Sequence, residues 1–335
     1  MARRNRLENK LVVLVGGGGF LGRHTAEELL KRGARLRIAD RHPEKAYYLR
    51  PLANLGQIQF ARCNVKDTAS LATAIGGADA VVYLPGTWGA DGEAVHCQGA
   101  AAAARAALSQ RAQAFIYISS IGADAFSESP YAASKGAGEA AVREAFPMAT
   151  ILRPSVLFGE DDAFINLFAR PIASLPAVPV FGARALLQPL FVDDAALAVA
   201  ESLSDPERHG GMTYVLGGPE VLTMAELNRR IARAQGRERV LLPVPDALCG
   251  LFAAFPGTPM TTDQWHMLQR GNVAAGALGC EALGIVPRPL GLFLERWMTR
   301  YRKHGRFGDT RDIVADHAFP SPGPREAIVP RDAAA

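Results

Sequence analysis

Near its start the chain runs Leu11-Val12-Val13-Leu14-Val15 without a polar break into Gly16-Gly17-Gly18-Gly19-Phe20-Leu21-Gly22. An uninterrupted aliphatic run of this length predicts a strand buried on both faces, as in a parallel sheet. Four glycines then close a tight turn, and His24 to Arg32 brings helix formers, among them Ala26, Glu27, Leu29 and Leu30. In that order, strand, turn and helix point backbone N–H groups and the positive end of a helix dipole at an anion. Gly16 is expected to take a positive φ, Gly19 to let a pyrophosphate approach the backbone, and Gly22 to let helix and strand pack closely. The turn therefore predicts a dinucleotide site, with Phe20, Leu21 and Arg23 among its contacts.

Strand-like and helix-like segments alternate through the first half. Strands are read at Ala34–Ala39 (closing at Asp40), Ile58–Ala61, Ala80–Leu84, Ala114–Ser119 and Ala149–Leu152. Helices are read around Pro43–Leu52, Ala69–Ile75, Glu93–Leu108 and Tyr131–Ala145. This alternation predicts an α/β fold, a doubly wound parallel-sheet Rossmann domain over residues 8–154. After Arg153-Pro154 proline and glycine become frequent (Pro171, Pro176, Pro179, Gly182), as expected where a chain leaves a sheet. Leu190–Val192, a helix over Asp194–Leu203 and Tyr214–Leu216 are read as returning to the first domain, within about 188–216. Residues 155–187 and 217–304 make a smaller, mostly helical C-terminal lobe, with helices at Met224–Ala234, Thr262–Gln269 and Gly291–Tyr301. The polar stretch 305–335 is expected to be a disordered tail.

Charge and cysteine usage narrow the partners. The net charge is +4, and basic residues are scattered except at the start (Arg3, Arg4, Arg6) and near the end (Arg296, Arg300, Arg302, Lys303, Arg306), with no interleaving of aromatic and basic residues, which argues against nucleic acid. Cys63, Cys97, Cys249 and Cys280 show neither a disulfide framework nor metal-ligand spacing, so no metal is expected. No apolar signal core follows Met1. The longest weakly charged stretch, Leu241–Pro256, is broken by Pro243, Pro245 and Asp246, which a bilayer-spanning helix does not tolerate. A cytoplasmic location follows.

Asp40 closes the second strand about 20 residues after the glycine turn, where a carboxylate accepts from a ribose 2′-hydroxyl and favours NAD(H). Arg41 follows it, and Arg41 or Arg23 suits a 2′-phosphate and favours NADP(H). Asn64 and Val65, after the third strand, and Leu84, closing the fourth, complete the expected cofactor contacts. Tyr131 and Lys135 stand four residues apart on one face of a helix, and no other tyrosine in the chain has a lysine at that spacing. An ammonium beside the phenol is expected to favour phenolate and lower its pKa, making Tyr131 a proton donor or acceptor for a carbinol–carbonyl pair. Ser120, with Ser119 as the adjacent candidate, is placed to hydrogen-bond the same substrate oxygen. Lys135 also suits the cofactor ribose hydroxyls. His96, His266 and His304 are each isolated and read as satisfied histidines rather than ligands.

The glycine spacing, the serine pair and Tyr131-x-x-x-Lys135 resemble the extended and atypical short-chain dehydrogenase/reductases. Other stretches narrow the resemblance: Ser120-Ile121-Gly122-Ala123-Asp124, Ser134-Lys135-Gly136-Ala137-Gly138-Glu139, Leu152-Arg153-Pro154-Ser155-Val156-Leu157-Phe158-Gly159 and Gln188-Pro189-Leu190-Phe191-Val192-Asp193-Asp194. Leu216-Gly217-Gly218-Pro219-Glu220, Asp263-Gln264, Gly271-Asn272-Val273 and Leu283-Gly284-Ile285 extend it to roughly Leu11–Tyr301. Together they resemble the dinucleotide-binding accessory subunits of respiratory complex I (NADH:ubiquinone oxidoreductase) and their bacterial homologues. The resemblance implies one tightly held NADP(H) or NAD(H) per chain, mainly structural. It also implies complex I subunits as partners and a peripheral position on the cytoplasmic face of the inner membrane. Trp297, Arg296, Arg300, Tyr301, Arg302 and Lys303 are candidates for contact with anionic headgroups through the C-terminal lobe. Ser120, Tyr131 and Lys135 are all present, so the alternative is an independent NAD(P)-dependent oxidoreductase or epimerase using them as its catalytic set.

Overall fold

Seven strands form one parallel sheet in the computed structural model, which describes residues 6–255, 258, 260–276 and 278–303. They are β1 (Leu11–Val15), β2 (Arg35–Asp40), β3 (Ile58–Arg62), β4 (Ala80–Tyr83), β5 (Ala114–Ile118), β6 (Thr150–Pro154) and Thr213–Leu216. Their order across the sheet is Thr213–Leu216, β6, β5, β4, β1, β2, β3. The helices of the first 204 residues are α1 (Phe20–Lys31), α2 (Thr68–Ile75), α3 (Ala100–Ser109), α4 (Pro130–Ala145), α5 (Ala163–Ser174) and α6 (Val192–Ser204).

Strand residues alternate between the two faces of the sheet. Leu14, Ile38, Val82 and Ile116 pack with Leu29 of α1 and Val199 of α6. Val13, Val81, Phe115 and Ile151 pack with Leu71 of α2, Ala103 of α3 and Val142 of α4. Both faces are covered, and so β1 is buried along its whole length. The run of alanines in α3 has the same origin, since side chains this small let a helix approach the sheet closely. Strand order reverses between β4 and β1, and the crevice outside the carboxyl ends of strands at such a point is where open α/β sheets hold ligands.

Some expectations are revised. Pro43–Leu52 winds as a tight 3-10 helix, and Glu93–Gly99 is a wide π-type turn that leads into α3. Two buried phenols use that turn: Tyr83 donates to Val95 O at 2.6 Å and Tyr117 to His96 O at 3.0 Å. Leu190–Phe191 does not join the main sheet; it pairs in parallel with Leu157–Phe158 in a separate two-stranded ribbon.

The C-terminal elements surround a second apolar cluster in which Phe158, Ile172, Phe191, Leu227, Ile231 and Trp297 are buried. Within it Phe293 stacks on Phe191 at 4.1 Å and on Trp297 at 5.1 Å. Trp297, a candidate for headgroup contact, therefore faces inward. Tyr301 also turns back to the protein, its hydroxyl donating to Asn166 Oδ1 at 2.8 Å, whereas Arg296 and Lys303 are exposed. Elements not anticipated include α5, the parallel ribbon of Ala177–Val180 with Val240–Pro243, the antiparallel pair Leu186–Leu187 with Leu222–Thr223, and the helices Pro206–His209 and Asp246–Ala254. Residues 305–335 and His304 lie outside the described residues. No helix among the described residues is long and apolar enough to cross a membrane.

Candidate functional site

The glycine turn sits at the strand-order reversal, and its glycines differ in what demands them. Gly16 has φ +75°, and a Cβ there would lie 3.1 Å from Pro85 just after β4. At Gly22 a Cβ would stand 2.5 Å from Gly17 O, closer than any real contact. Gly19 is different, because a Cβ there meets only Gly16 O at 3.4 Å. Its outward side is bare, as a backbone that a phosphate approaches must be. Gly19 caps α1 without a side-chain hydrogen bond, and the first turn holds no acidic residue. The leading N–H groups of α1 therefore keep their capacity for an anion. The cradle fits a dinucleotide pyrophosphate.

Around it the expected contacts take distinct positions. Phe20 and Leu21 turn their side chains onto the C-terminal cluster, so that only their backbones face the turn. Arg23 is held by Asp161 at 3.1 Å on the surface. Asp40 accepts from His42 N at 3.2 Å, and its other oxygen lies 3.1 Å from where a Gly18 Cβ would be. Arg41 is exposed and forms no ion pair among the described residues. Of the three, Asp40 is the one that lies directly beside the turn, at Gly18. Asn64 spends its side chain on its own turn, accepting from Lys66 N at 3.1 Å, and Val65 packs on the sheet. Leu84 continues β4 by one bond, its N–H donating to Val15 O at 3.0 Å.

Ser120, Tyr131 and Lys135 come together on the other side of the crevice. Lys135 is buried, and its Nζ donates to Ile118 O at 2.9 Å, with Pro85 O at 3.5 Å. Burial lowers its pKa to about 7. Its nitrogen stands 6.0 Å from the Tyr131 ring centroid. The expected lowering of the Tyr131 pKa is not found. Burial raises it and Asp263 adds to the rise, while Ser120 alone opposes it. The reason is directional: Lys135 aims at main-chain carbonyls, so desolvation of the phenol outweighs any help from the ammonium. Ser120 Oγ is buried without a hydrogen bond of good geometry, though it lies near enough to the phenol to lower that pKa. A buried hydroxyl left this way costs about 1–3 kcal/mol and suits an oxygen-bearing ligand. Ser119 is not equivalent, since it donates to Glu139 at 2.5 Å, and Arg153 grips the same carboxylate at 2.8 and 2.6 Å.

Three further residues shape the site. Trp88, in the loop after β4, stacks on the Tyr131 ring at 3.9 Å with 16° between planes. His96 presents an edge to the same ring at 5.4 Å. Its Nε2 accepts from Thr87 N and its Nδ1–H donates to Ser134 Oγ, both at 2.9 Å, which sets one neutral tautomer. Burial and the Lys135 charge push its pKa down to about 3. Asp263, on the helix Thr262–Arg270, accepts from Tyr131 N at 3.1 Å and from the Ser129 hydroxyl that caps α4. The helix Thr262–Arg270 thereby grips the first turn of the helix that carries Tyr131.

Comparison with known proteins adds three kinds of relative. A family model described as the NAD dependent epimerase/dehydratase family matches residues 12–217. The mouse protein "NADH dehydrogenase [ubiquinone] 1 alpha subcomplex subunit 9, mitochondrial" is 30% identical over 314 residues, covering 90% of this chain and 83% of the relative. A "Ceramide reductase" of Caulobacter vibrioides is 30% identical over 270 residues, covering 74% and 80% respectively. Among solved structures, a Citrobacter sp. triphenylmethane reductase complexed with NADP(H) superposes with TM-score 0.70 at 21% identity, over 87% of this chain and 99% of that one. That likeness concerns the fold.

Proposed function

The chain belongs to the NAD dependent epimerase/dehydratase family, and from that premise we propose that it is a peripheral accessory or assembly subunit of NADH:ubiquinone oxidoreductase (complex I) in which a nucleotide is mainly structural. The observation that carries this reading is the 30% identity, over 90% of the chain, to a mouse protein named as a subunit of that enzyme. Gly16, Gly19, Gly22 and the backbones of Phe20 and Leu21 hold the pyrophosphate of one NAD(H) or NADP(H). Asp40, Arg41 and Arg23 meet the adenosine ribose, and Tyr131 and Lys135 meet the nicotinamide end. Stacking of Trp88 on Tyr131 supports a nucleotide that stays rather than turns over, since it covers one face of the phenol. Membrane contact through the lobe is supported by Leu248, Leu251 and Phe255, all exposed on or beside the helix Asp246–Ala254, and by exposed Arg296 and Lys303. Purification in mild detergent should recover the chain with other complex I subunits. Mass spectrometry of the released nucleotide should find one per chain and decide the 2′-phosphate. Recovery free of those subunits would overturn the proposal.

A second reading is favoured by two observations: Ser120 offers a buried, unpartnered hydroxyl beside Tyr131, and a ceramide reductase is 30% identical. In it the chain is an independent reductase or epimerase acting on a carbonyl or carbinol. A bound nicotinamide supplies or accepts hydride. Tyr131 exchanges the proton of the substrate oxygen, Ser120 orients that oxygen, and Lys135 holds the ribose. The high pKa of the phenol suits proton donation to a carbonyl oxygen rather than abstraction. Tyr131→Phe should then abolish turnover with any substrate while leaving nucleotide occupancy intact; unchanged turnover excludes the mechanism.

A further inference from the structure

The sheet ends at β3, which pairs only with β2 among the described residues. Leu36 N–H donates to Gln57 O and Cys63 N–H to Asp40 O, so the odd-numbered residues of β3 face β2. By the parallel pattern, the N–H and C=O groups of Ile58, Phe60 and Arg62 point to the open edge. A groove of about 670 Å³ wraps this edge, with Arg37 on one side of the strand and Tyr47 and Arg50 on the other. Such an edge invites another strand unless something guards it.

What lines the groove selects the occupant. The Arg50 guanidinium lies 3.8 Å from the Tyr47 ring centroid and 5.4 Å from that of Phe60, over an edge-to-face aromatic pair. Arg37 donates to Ala74 O at 2.9 Å and Gly76 O at 2.7 Å, which leaves its charge unneutralised. Neither guanidinium pairs with a carboxylate among the described residues. Residues 35–62 carry six arginines and lysines against two acids, a surplus as large as the net +4 of the whole chain. Leu55, fully exposed at 107%, adds an apolar contact at the groove mouth. A second copy of this chain would bring the same cations face to face, so charge opposes self-pairing through this edge.

We propose that β3 takes up an extended acidic segment of a partner protein as an eighth strand. Main-chain bonds to Ile58 and Phe60 supply affinity, and carboxylates on alternate faces of the incoming strand meet Arg50 and Arg37. The inference is independent of which assembly the chain enters, because it rests on the chemistry of the edge.

The test places a photoreactive benzoylphenylalanine at Leu55 of the full chain in its native cells. Each adduct is mapped by mass spectrometry to the residues it captures. The expected adduct lies in a net-acidic segment of a partner protein. Synthesised as a peptide, that segment should bind the purified protein, and Arg50→Ala should weaken binding about tenfold, the scale of a well-formed charged contact at an interface. Methylating alternate backbone nitrogens of the peptide should weaken it at least as much. Four results would each overturn the proposal: no partner adduct, capture of a basic or neutral segment, capture of nucleic acid or of a second copy, or binding indifferent to backbone methylation. Separation of the chain from complex I would leave all of these outcomes readable, so the two readings fail independently.

Discussion

In the sheet, β1 exposes none of its side chains, both faces are covered by helices, and the glycine turn tolerates no Cβ at Gly22. In the C-terminal lobe the helix Asp246–Ala254 leaves Leu248 54% and Leu251 59% exposed, with Phe255 62% exposed beside it. The interior of the sheet is closed on itself, whereas this helix leaves apolar side chains in water. A closed interior can hold a ligand rigidly; apolar side chains left in water, on this helix as at Leu55 beside β3, mark a surface for something else. The glycine turn and the Tyr131–Lys135 pair belong to the first half, and this cluster of exposed apolar residues to the second. Asp263 is where they meet, reaching from the lobe to the start of α4.

The comparison breaks most sharply at the turn. Gly22→Val places a Cβ within 2.5 Å of Gly17 O and should cost about 3 kcal/mol, with loss of nucleotide, because no flexible group can give way. Gly19→Val should leave the melting temperature of nucleotide-free protein near that of the wild type and still lose the nucleotide. Thermal melts with and without added nucleotide separate the two. Equal melts for both variants would mean that Gly19 is a packing residue like Gly22.

Acid should act next most strongly, and on the same half. His96 has a pKa of about 3 in the folded chain against 6.5 when unfolded, so the unfolded chain takes up a proton first as pH falls. Stability from this group is whole above 6.5 and falls as pH drops toward 3, by on the order of 3 kcal/mol at about pH 4. His96→Gln, which keeps a donor and an acceptor, should flatten that slope in denaturant titrations across this range. At the junction, Asp263→Asn should cost about 1.5 kcal/mol, since the Ser129 hydroxyl and Tyr131 N–H lose a charged acceptor. It should also loosen Tyr131, read as faster quenching of Trp88 fluorescence by iodide.

What was legible in the sequence divides along the same line. Uniform aliphatic strands announce a parallel sheet because their burial on two faces is written into consecutive residues. The lobe hides its elements behind prolines: Pro171 lies inside α5, Pro179 and Pro243 inside the ribbon of Ala177–Val180 with Val240–Pro243. A two-stranded ribbon gives each strand an open side where a proline nitrogen does no harm, which local rules do not foresee. At the site, the helical spacing of Tyr131 and Lys135 was readable. The direction of the Lys135 ammonium was not, because Ile118 O and Pro85 O that claim it lie on other elements. Trp88 and Asp263 reach Tyr131 only through the folded chain; Asp263 is 132 residues away. Its motif with Gln264 was visible, but its role was not.

The smallest effect on stability tests the lobe. Leu251→Ser removes an apolar side chain that is already mostly in water, so unfolding free energy should change by less than about 0.5 kcal/mol. If the exposed helix is a docking face, the same substitution should lower the fraction of protein sedimenting with vesicles of mixed phosphatidylglycerol and phosphatidylethanolamine. Arg296→Glu should lower it further, and added salt should reproduce the Arg296 effect but not the Leu251 effect, because screening acts on charge and leaves apolar burial in place. A Leu251→Ser protein that sediments like the wild type, yet no longer co-purifies with complex I subunits, would reassign the face from lipid to protein. Should it instead retain both properties, the exposed leucines would be incidental and the contrast between the two halves would rest on the sheet alone.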